Sequence, residues 1–183
     1  FEGKGYKIAN ASMASGLNDQ GLFGTVVGAE FKNINVENVD IEGNNNIGGL
    51  VANASNSIFT NCSVSGNIVG GNNNIGGLVG VITNNTLIDN CYTNVLLQGD
   101  GQSIGGLVGL VDGADITGSY ATGGTFGAGN RLGGLVGTVQ NGGVISNSFA
   151  TGSVIGTGST IDAGGLIGAS FGSQIQTATP LAK

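Results

Sequence analysis

The sequence has no histidine and no tryptophan, and only one proline (Pro180), one methionine and two cysteines in 183 residues. Without imidazole there is no Ser-His triad, no histidine-ligated zinc and no imidazole acid–base catalysis. Charged residues make up only 9%, with a net charge of −6, and beyond Lys32 the only cations are Arg131 and Lys183. Nucleic-acid binding needs basic side chains to displace counterions, so no nucleic-acid partner is expected. Docking on anionic lipid is disfavoured for the same reason. No run of 18 apolar residues exists, so no membrane insertion is expected. Aromatic residues are 5%. A core of Ile, Val, Leu and Ala suits stacked strands better than a globular interior.

What is abundant is glycine, 38 residues, and it recurs on a schedule. One phrase is repeated six times: Gly21-Leu22-Phe23-Gly24, Gly48-Gly49-Leu50-Val51-Ala52, Gly76-Gly77-Leu78-Val79-Gly80, Gly105-Gly106-Leu107-Val108-Gly109, Gly133-Gly134-Leu135-Val136-Gly137 and Gly164-Gly165-Leu166-Ile167-Gly168. The leucines are 28, 28, 29, 28 and 31 residues apart. A fixed period of this size marks a repeat architecture in which each copy buries its apolar face against its neighbours. Other columns keep the same beat: Phe31, Phe59, Ile88, Ile116 and Ile145; Asn33, Asn61, Asn90, Gly118 and Asn147; Ile34, Cys62, Cys91, Ser119 and Ser148; Val36, Val64, Thr93, Ala121 and Ala150.

Each copy offers three short strand candidates, such as Ile75 to Val81, Leu87 to Val95 and Ser65 to Val69, separated by Asn- and Gly-rich corners. Asn and Gly accept the positive φ that sharp corners require. No window shows helical periodicity with caps. The pattern predicts an all-β fold: a single parallel β-helix of about 28 residues and three short strands per coil. Its right-handedness follows from the usual bias of parallel crossovers. At roughly 4.8 Å per coil, six coils make a rod about 30 Å long. A β-sandwich, with strands every 8–12 residues, would not explain columns that recur every 28. The reading treats residues 1–183 as one solenoid domain: 1–20 as a lead-in, 21–173 as six repeats and 174–183 as a tail. The long last interval, through Gly158 to Asp162, is expected to be a longer corner or a terminal coil losing regularity.

These phrases resemble the GLUG-motif repeat, named for its Gly-Leu-any-Gly core. The segments Asn90-Cys91-Tyr92, Ser119-Tyr120-Ala121-Thr122-Gly123 and Asn147-Ser148-Phe149-Ala150-Thr151-Gly152 resemble the "Asn-Cys/Ser-aromatic-Ala-Thr-Gly" stretch of that family. The opening, Phe1 to Asn10, resembles the lead-in that often precedes such arrays. The resemblance implies an extracellular or cell-surface location, in adhesins or the non-catalytic parts of surface proteases of microbes. It transfers no catalytic residue.

Several residues are candidates for more than packing. Tyr92, Tyr120 and Phe149 share a column expected to point outward, where aromatics could meet sugar rings or a protein partner, or stack on one another. Phe23, Val51, Val79, Val108, Val136 and Ile167 each follow a repeat leucine. Strand alternation would then expose one of the two ladders as an apolar contact ridge, unless the chain bends at the flanking glycines. Cys62 and Cys91, 29 residues apart in one column, should lie on adjacent coils. They are two small buried residues of a ladder, a disulfide or a pair of reactive thiols. Asp112 and Asp115 could offer oxygens to calcium but complete no calcium-loop pattern. Glu37, Asp40, Glu42 and Asp100 are scattered, and no acid–base pair stands out. No Gly-rich phosphate loop is complete. Thr93, Thr122 and Thr151 do not form one regular column, which weakens an ice-binding reading.

The expected function is therefore a non-enzymatic structural or adhesive module, part of a larger surface protein or of a filament, with no catalytic residue, cofactor or metal. Its expected partners are other domains of the same chain, further copies of itself, or a host or cell-surface protein or glycan. A carbohydrate-binding or carbohydrate-active domain on the same scaffold is the alternative.

Overall fold

In the computed structural model, residues 1–14, 16–158 and 162–176 are described. The residues 159–161 of the expected long corner, and residues 177–183 of the expected tail, lie outside them. Every strand pairing is parallel, and no helix occurs among the described residues. The chain winds about six times with a repeat near 28 residues, forming a parallel β-solenoid.

Each winding carries four paired segments rather than three. One full winding runs Val79–Thr83 in the first sheet, Leu87–Asp89 in the second, Tyr92–Gly99 in the third and Ile104–Gly105 in the fourth. The expected strand from Ile75 to Val81 is cut by Gly77-Leu78, and the expected strand from Leu87 to Val95 is cut at Asn90-Cys91. The expected brief third strand instead joins its predecessor as Ser63–Gly70. The cuts are physical corners. Asn33, Asn61, Asn90, Gly118 and Asn147 hold φ between 49° and 58°. A second corner column, Gly28, Asn56, Asn84, Gly113, Asn141 and Gly172, is also left-handed. This conformation costs most residues about 1–2 kcal/mol but suits Gly and Asn.

The repeat columns become ladders of like residues. Phe31, Phe59, Ile88, Ile116 and Ile145 pair rung to rung, as do Val36, Val64, Thr93, Ala121 and Ala150. Leu50 N–H donates to Leu78 C=O, Leu78 to Leu107, Leu107 to Leu135 and Leu135 to Leu166, at 2.8–3.0 Å. All four of Leu50, Leu78, Leu107 and Leu135 are fully buried. Fully burying such a side chain is worth about 1.5–3 kcal/mol.

The glycines of the phrase are needed for closeness rather than for φ. A Cβ on Gly105 would lie 2.2 Å from Val108 O, and one on Gly106 2.1 Å from Gly134 O on the next rung. A Cβ on Gly109 would lie 2.6 Å from the backbone at Asn74 and Ile75, the corner of the preceding rung. The last glycine of the motif is thus the seat on which the previous corner rests.

Residues 1–14 and 16–20 form a partial rung. Glu2 bridges to Lys32, Lys7–Ala9 and Ser12–Ala14 pair with Asn35–Gly43, and Gln20 bridges to Ile47. Phe1, Phe23, Phe31 and Phe59 pack ring to ring down this end.

Candidate functional site

The third sheet is the widest, and alternate residues on its strands point outward. In Tyr92–Gly99 the even-numbered residues are exposed and the odd-numbered ones buried. Parallel register then places Tyr92 over Tyr120 and Tyr120 over Phe149. Their ring centroids lie 5.2 and 4.9 Å apart, with planes inclined by 7° and 3°. The column points outward as expected: Tyr92 is 41% and Phe149 51% exposed. The rings spend their faces on each other, so the ladder presents ring edges to solvent. Flat stacking of a sugar on the central ring, Tyr120, is therefore blocked by its neighbours.

Four to six residues farther along the strands lies a second apolar group on the same outer face. Leu96 (51% exposed), Phe126 and Ile155 (48%) stand there, with Gln98 paired to Phe126 and Phe126 to Ile155. Leu96, Gln98, Asp100, Phe126, Gly127 and Thr157 line a surface depression of about 430 Å³. The Phe126 ring lies across Gly124, where any Cβ would collide with it at 2.5 Å. Sequence reasoning missed this group. Its signal was available in the two-residue alternation that runs on from Tyr92 to Gln98.

The expected apolar ridge does not exist. Val51, Val79, Val108 and Val136 are fully buried, and Phe23 and Ile167 are half-buried against the core. The leucines occupy the corner and the following residues open the next strand, so both ladders point inward. The alternation slips again at the motif's last glycine: Val79 and Ile82, three residues apart, are both buried.

No disulfide joins Cys62 and Cys91; both are buried free thiols. Their side chains belong to a hydrogen-bond relay. Cys62 N–H donates to Cys91 Sγ at 3.3 Å, Cys91 N–H to Ser119 Oγ at 3.0 Å and Ser119 N–H to Ser148 Oγ at 3.1 Å. Each Sγ or Oγ in turn donates to the carbonyl two residues before it, from Cys62 to Thr60, Cys91 to Asp89, Ser119 to Thr117 and Ser148 to Ser146. A hydrogen bond with Cys62, together with burial, pushes the Cys91 thiol above its ordinary range. A like relay at another corner uses Ser57 and Thr86.

The acidic candidates are dispersed. Asp112 accepts from Gln140 Nε2 at 3.2 Å and from Asn141 Nδ2, and Asp115 accepts from Val144 N–H at 3.1 Å. Each tethers the following rung. No group of three His, Cys, Asp or Glu that could hold a metal occurs among the described residues. Glu37 pairs with Lys7 at 2.8 Å, and the Lys7 hydrogen bond holds its carboxyl below the usual range. Asp40 and Glu42 lie on the same strand, two rungs from Asp100, and the structure brings none of them together. Asn61 Nδ2 donates to Asn33 Oδ1, Asn74 to Asn46 and Asn45 to Asn18, forming the corner ladders.

The comparisons agree with this geometry. No curated protein sequence matches the chain significantly. A solved Bacteroides ovatus structure, described as that of a proposed immunoglobulin A1 protease, superposes with a TM-score of 0.76 at 19% identity. The match covers all of this chain and 64% of that one, and at this identity it speaks to fold alone. The family profile "The GLUG motif" matches residues 43–69, 100–126 and 128–155. Three windings of one continuous stack thus carry the GLUG motif.

Proposed function

We propose that this solenoid is a non-enzymatic spacer and adhesive module of an extracellular or cell-surface protein. One observation carries the reading. Inward ladders keep the same character from rung to rung, while the outer face of the third sheet changes along the rod from polar and acidic to aromatic. Such a scaffold holds a surface at a fixed distance and orientation, and its length grows by about 4.8 Å with each added winding. Its partners would be a host or cell-surface protein or glycan, other domains of the same chain, or further copies. The Bacteroides ovatus relative is described as a proposed immunoglobulin A1 protease. In a protein of that kind the present segment would serve as a non-catalytic stalk.

The test is adhesion. Beads carrying the chain should be retained on at least one surface coated with mucin, matrix protein or cell-wall polysaccharide. The Tyr92→Ser/Phe149→Ser variant should be retained less. Retention no better than that of bare beads on every coat overturns the adhesive reading. Release of sugar or peptide fragments from a coat, in proportion to added chain, overturns the non-enzymatic one.

A further inference from the structure

We propose that the depression formed by Leu96, Gln98, Asp100, Phe126, Gly127 and Thr157 is a binding site for an uncharged sugar ring. The proposal deepens the adhesive reading and rests on it.

The walls are apolar: Leu96 on one rung and the Phe126 ring on the next. Small-ligand sites combine such walls with a few placed polar groups, in volumes of about 300–1,000 Å³. Here the volume is about 430 Å³. The rung spacing closes the floor: a Cβ on Gly127 would lie 1.6 Å from Gly99 O, so backbone rather than side chain forms the base.

The polar groups are an amide, a carboxylate and a hydroxyl. Gln98 lines the depression and its amide makes no hydrogen bond to a described residue, which leaves its two donors and its acceptor available to a ligand. Asp100 Oδ1 receives the Ala128 N–H at 3.3 Å, which fixes the carboxylate while leaving its other oxygen free to accept. Thr157 is tied by its backbone, donating to Gly127 C=O at 2.8 Å, and its hydroxyl is exposed. An apolar wall beside donors and acceptors matches a sugar, whose C–H face is apolar and whose rim is hydroxyl.

Charge selects the class. The outward strands of these rungs, residues 92–100, 120–127 and 149–157, contain one carboxylate, Asp100, and no lysine or arginine. A sulfated or sialylated glycan would meet a carboxylate with no compensating cation. The aromatic ladder is a poorer candidate, because its ring faces are already stacked.

The test is an NMR titration of the full chain with neutral oligosaccharides of glucose, mannose, galactose and N-acetylglucosamine. Sulfated and sialylated oligosaccharides and a tetralysine peptide are run alongside. At least one neutral probe should shift the amides of Gln98, Gly127 and Thr157 saturably and more tightly than any charged probe. Phe126→Ala should weaken binding about tenfold, the scale of one lost aromatic contact. Tyr120→Ser, on the same face but outside the depression, should change affinity less than about twofold. If Phe126→Ala does not fold, Gln98→Lys, at an exposed position, should weaken binding of the neutral probe instead. No shift with any neutral probe, tighter binding of a charged one, or unchanged binding by the folded variant overturns the proposal. Beads that fail to adhere while the titration saturates would sink the adhesive reading and leave this site standing.

Discussion

The two halves of the third sheet share an interior but not an exterior. In the earlier rungs the outward residues are Asn35, Glu37, Asp40 and Glu42, then Ser63, itself buried, Ser65, Asn67 and the single exposed apolar Val69. In the later rungs they include Tyr92, Leu96, Tyr120, Phe126, Phe149 and Ile155. Beneath both halves run apolar columns such as Ile41, Ile68 and Leu97, all buried. An inward side chain must fit the rung above and the rung below, so its chemistry repeats. An outward side chain answers only to solvent or to a partner, so its chemistry is free to change. That freedom is why the later half is where a binding face is sought.

The largest expected effect breaks the shared interior. Gly105→Ala places a Cβ 2.2 Å from Val108 O, 2.4 Å from Gly137 N and 2.7 Å from Val136 Cα, all of them backbone. It should cost more than about 4 kcal/mol, seen as loss of the cooperative denaturant transition by circular dichroism. Leu107→Ala comes next. It empties part of a ladder without a clash and should cost about 2–5 kcal/mol in urea unfolding. Both substitutions should affect the polar and aromatic halves alike, because the columns run through both.

Smaller effects sharpen the contrast outside. Asn90→Ala should destabilise by about 1–2 kcal/mol, and Asn90→Gly much less, since the corner holds φ at 51° and the next rung already has Gly118 there. Ser63→Tyr should carry the aromatic ladder one rung into the polar half. It should raise stability by about 0.5–1.5 kcal/mol, with an added aromatic exciton signal in the near-ultraviolet. An unchanged melt would mean that the ladder depends on its later rungs.

The smallest effect belongs to the exposed ion pair of Lys7 and Glu37. Glu37→Gln should leave the melting temperature unchanged within error, as such pairs contribute little. The Glu37 carboxyl is held below its ordinary value of 4.5 by its hydrogen bond to Lys7. Whatever stability the pair gives is therefore present above that value and lost as pH falls through the lowered one. A loss of stability on raising pH from 5 to 7 would contradict this assignment.

Much of the winding was legible because stacking forces like residues into columns. The Phe31 to Ile145 and Val36 to Ala150 columns sit on neighbouring rungs as their spacing required. The fate of the Val51 to Val136 column was not legible. Alternation along a straight strand would turn either those residues or the leucines outward, and only the closed path shows that Gly49-Leu50 is a corner rather than part of a strand. The Cys62 to Ser148 column was recognisable as small residues. That its side chains cap the backbone of the preceding rung needed coordinates, because Cys and Ser share this donor and acceptor geometry only where the chain turns.

Sequence alone determined the period, the parallel stack, the identity of the inward ladders and the outward direction of Tyr92, Tyr120 and Phe149. Each of these follows from a local repeat that must superpose on itself. Tertiary structure decided the fourth sheet, the burial of the valine column, the free thiols and the depression at Phe126. These depend on where the chain bends and on which side chains meet across rungs, distances set by closing the coil and not by the order of residues within it.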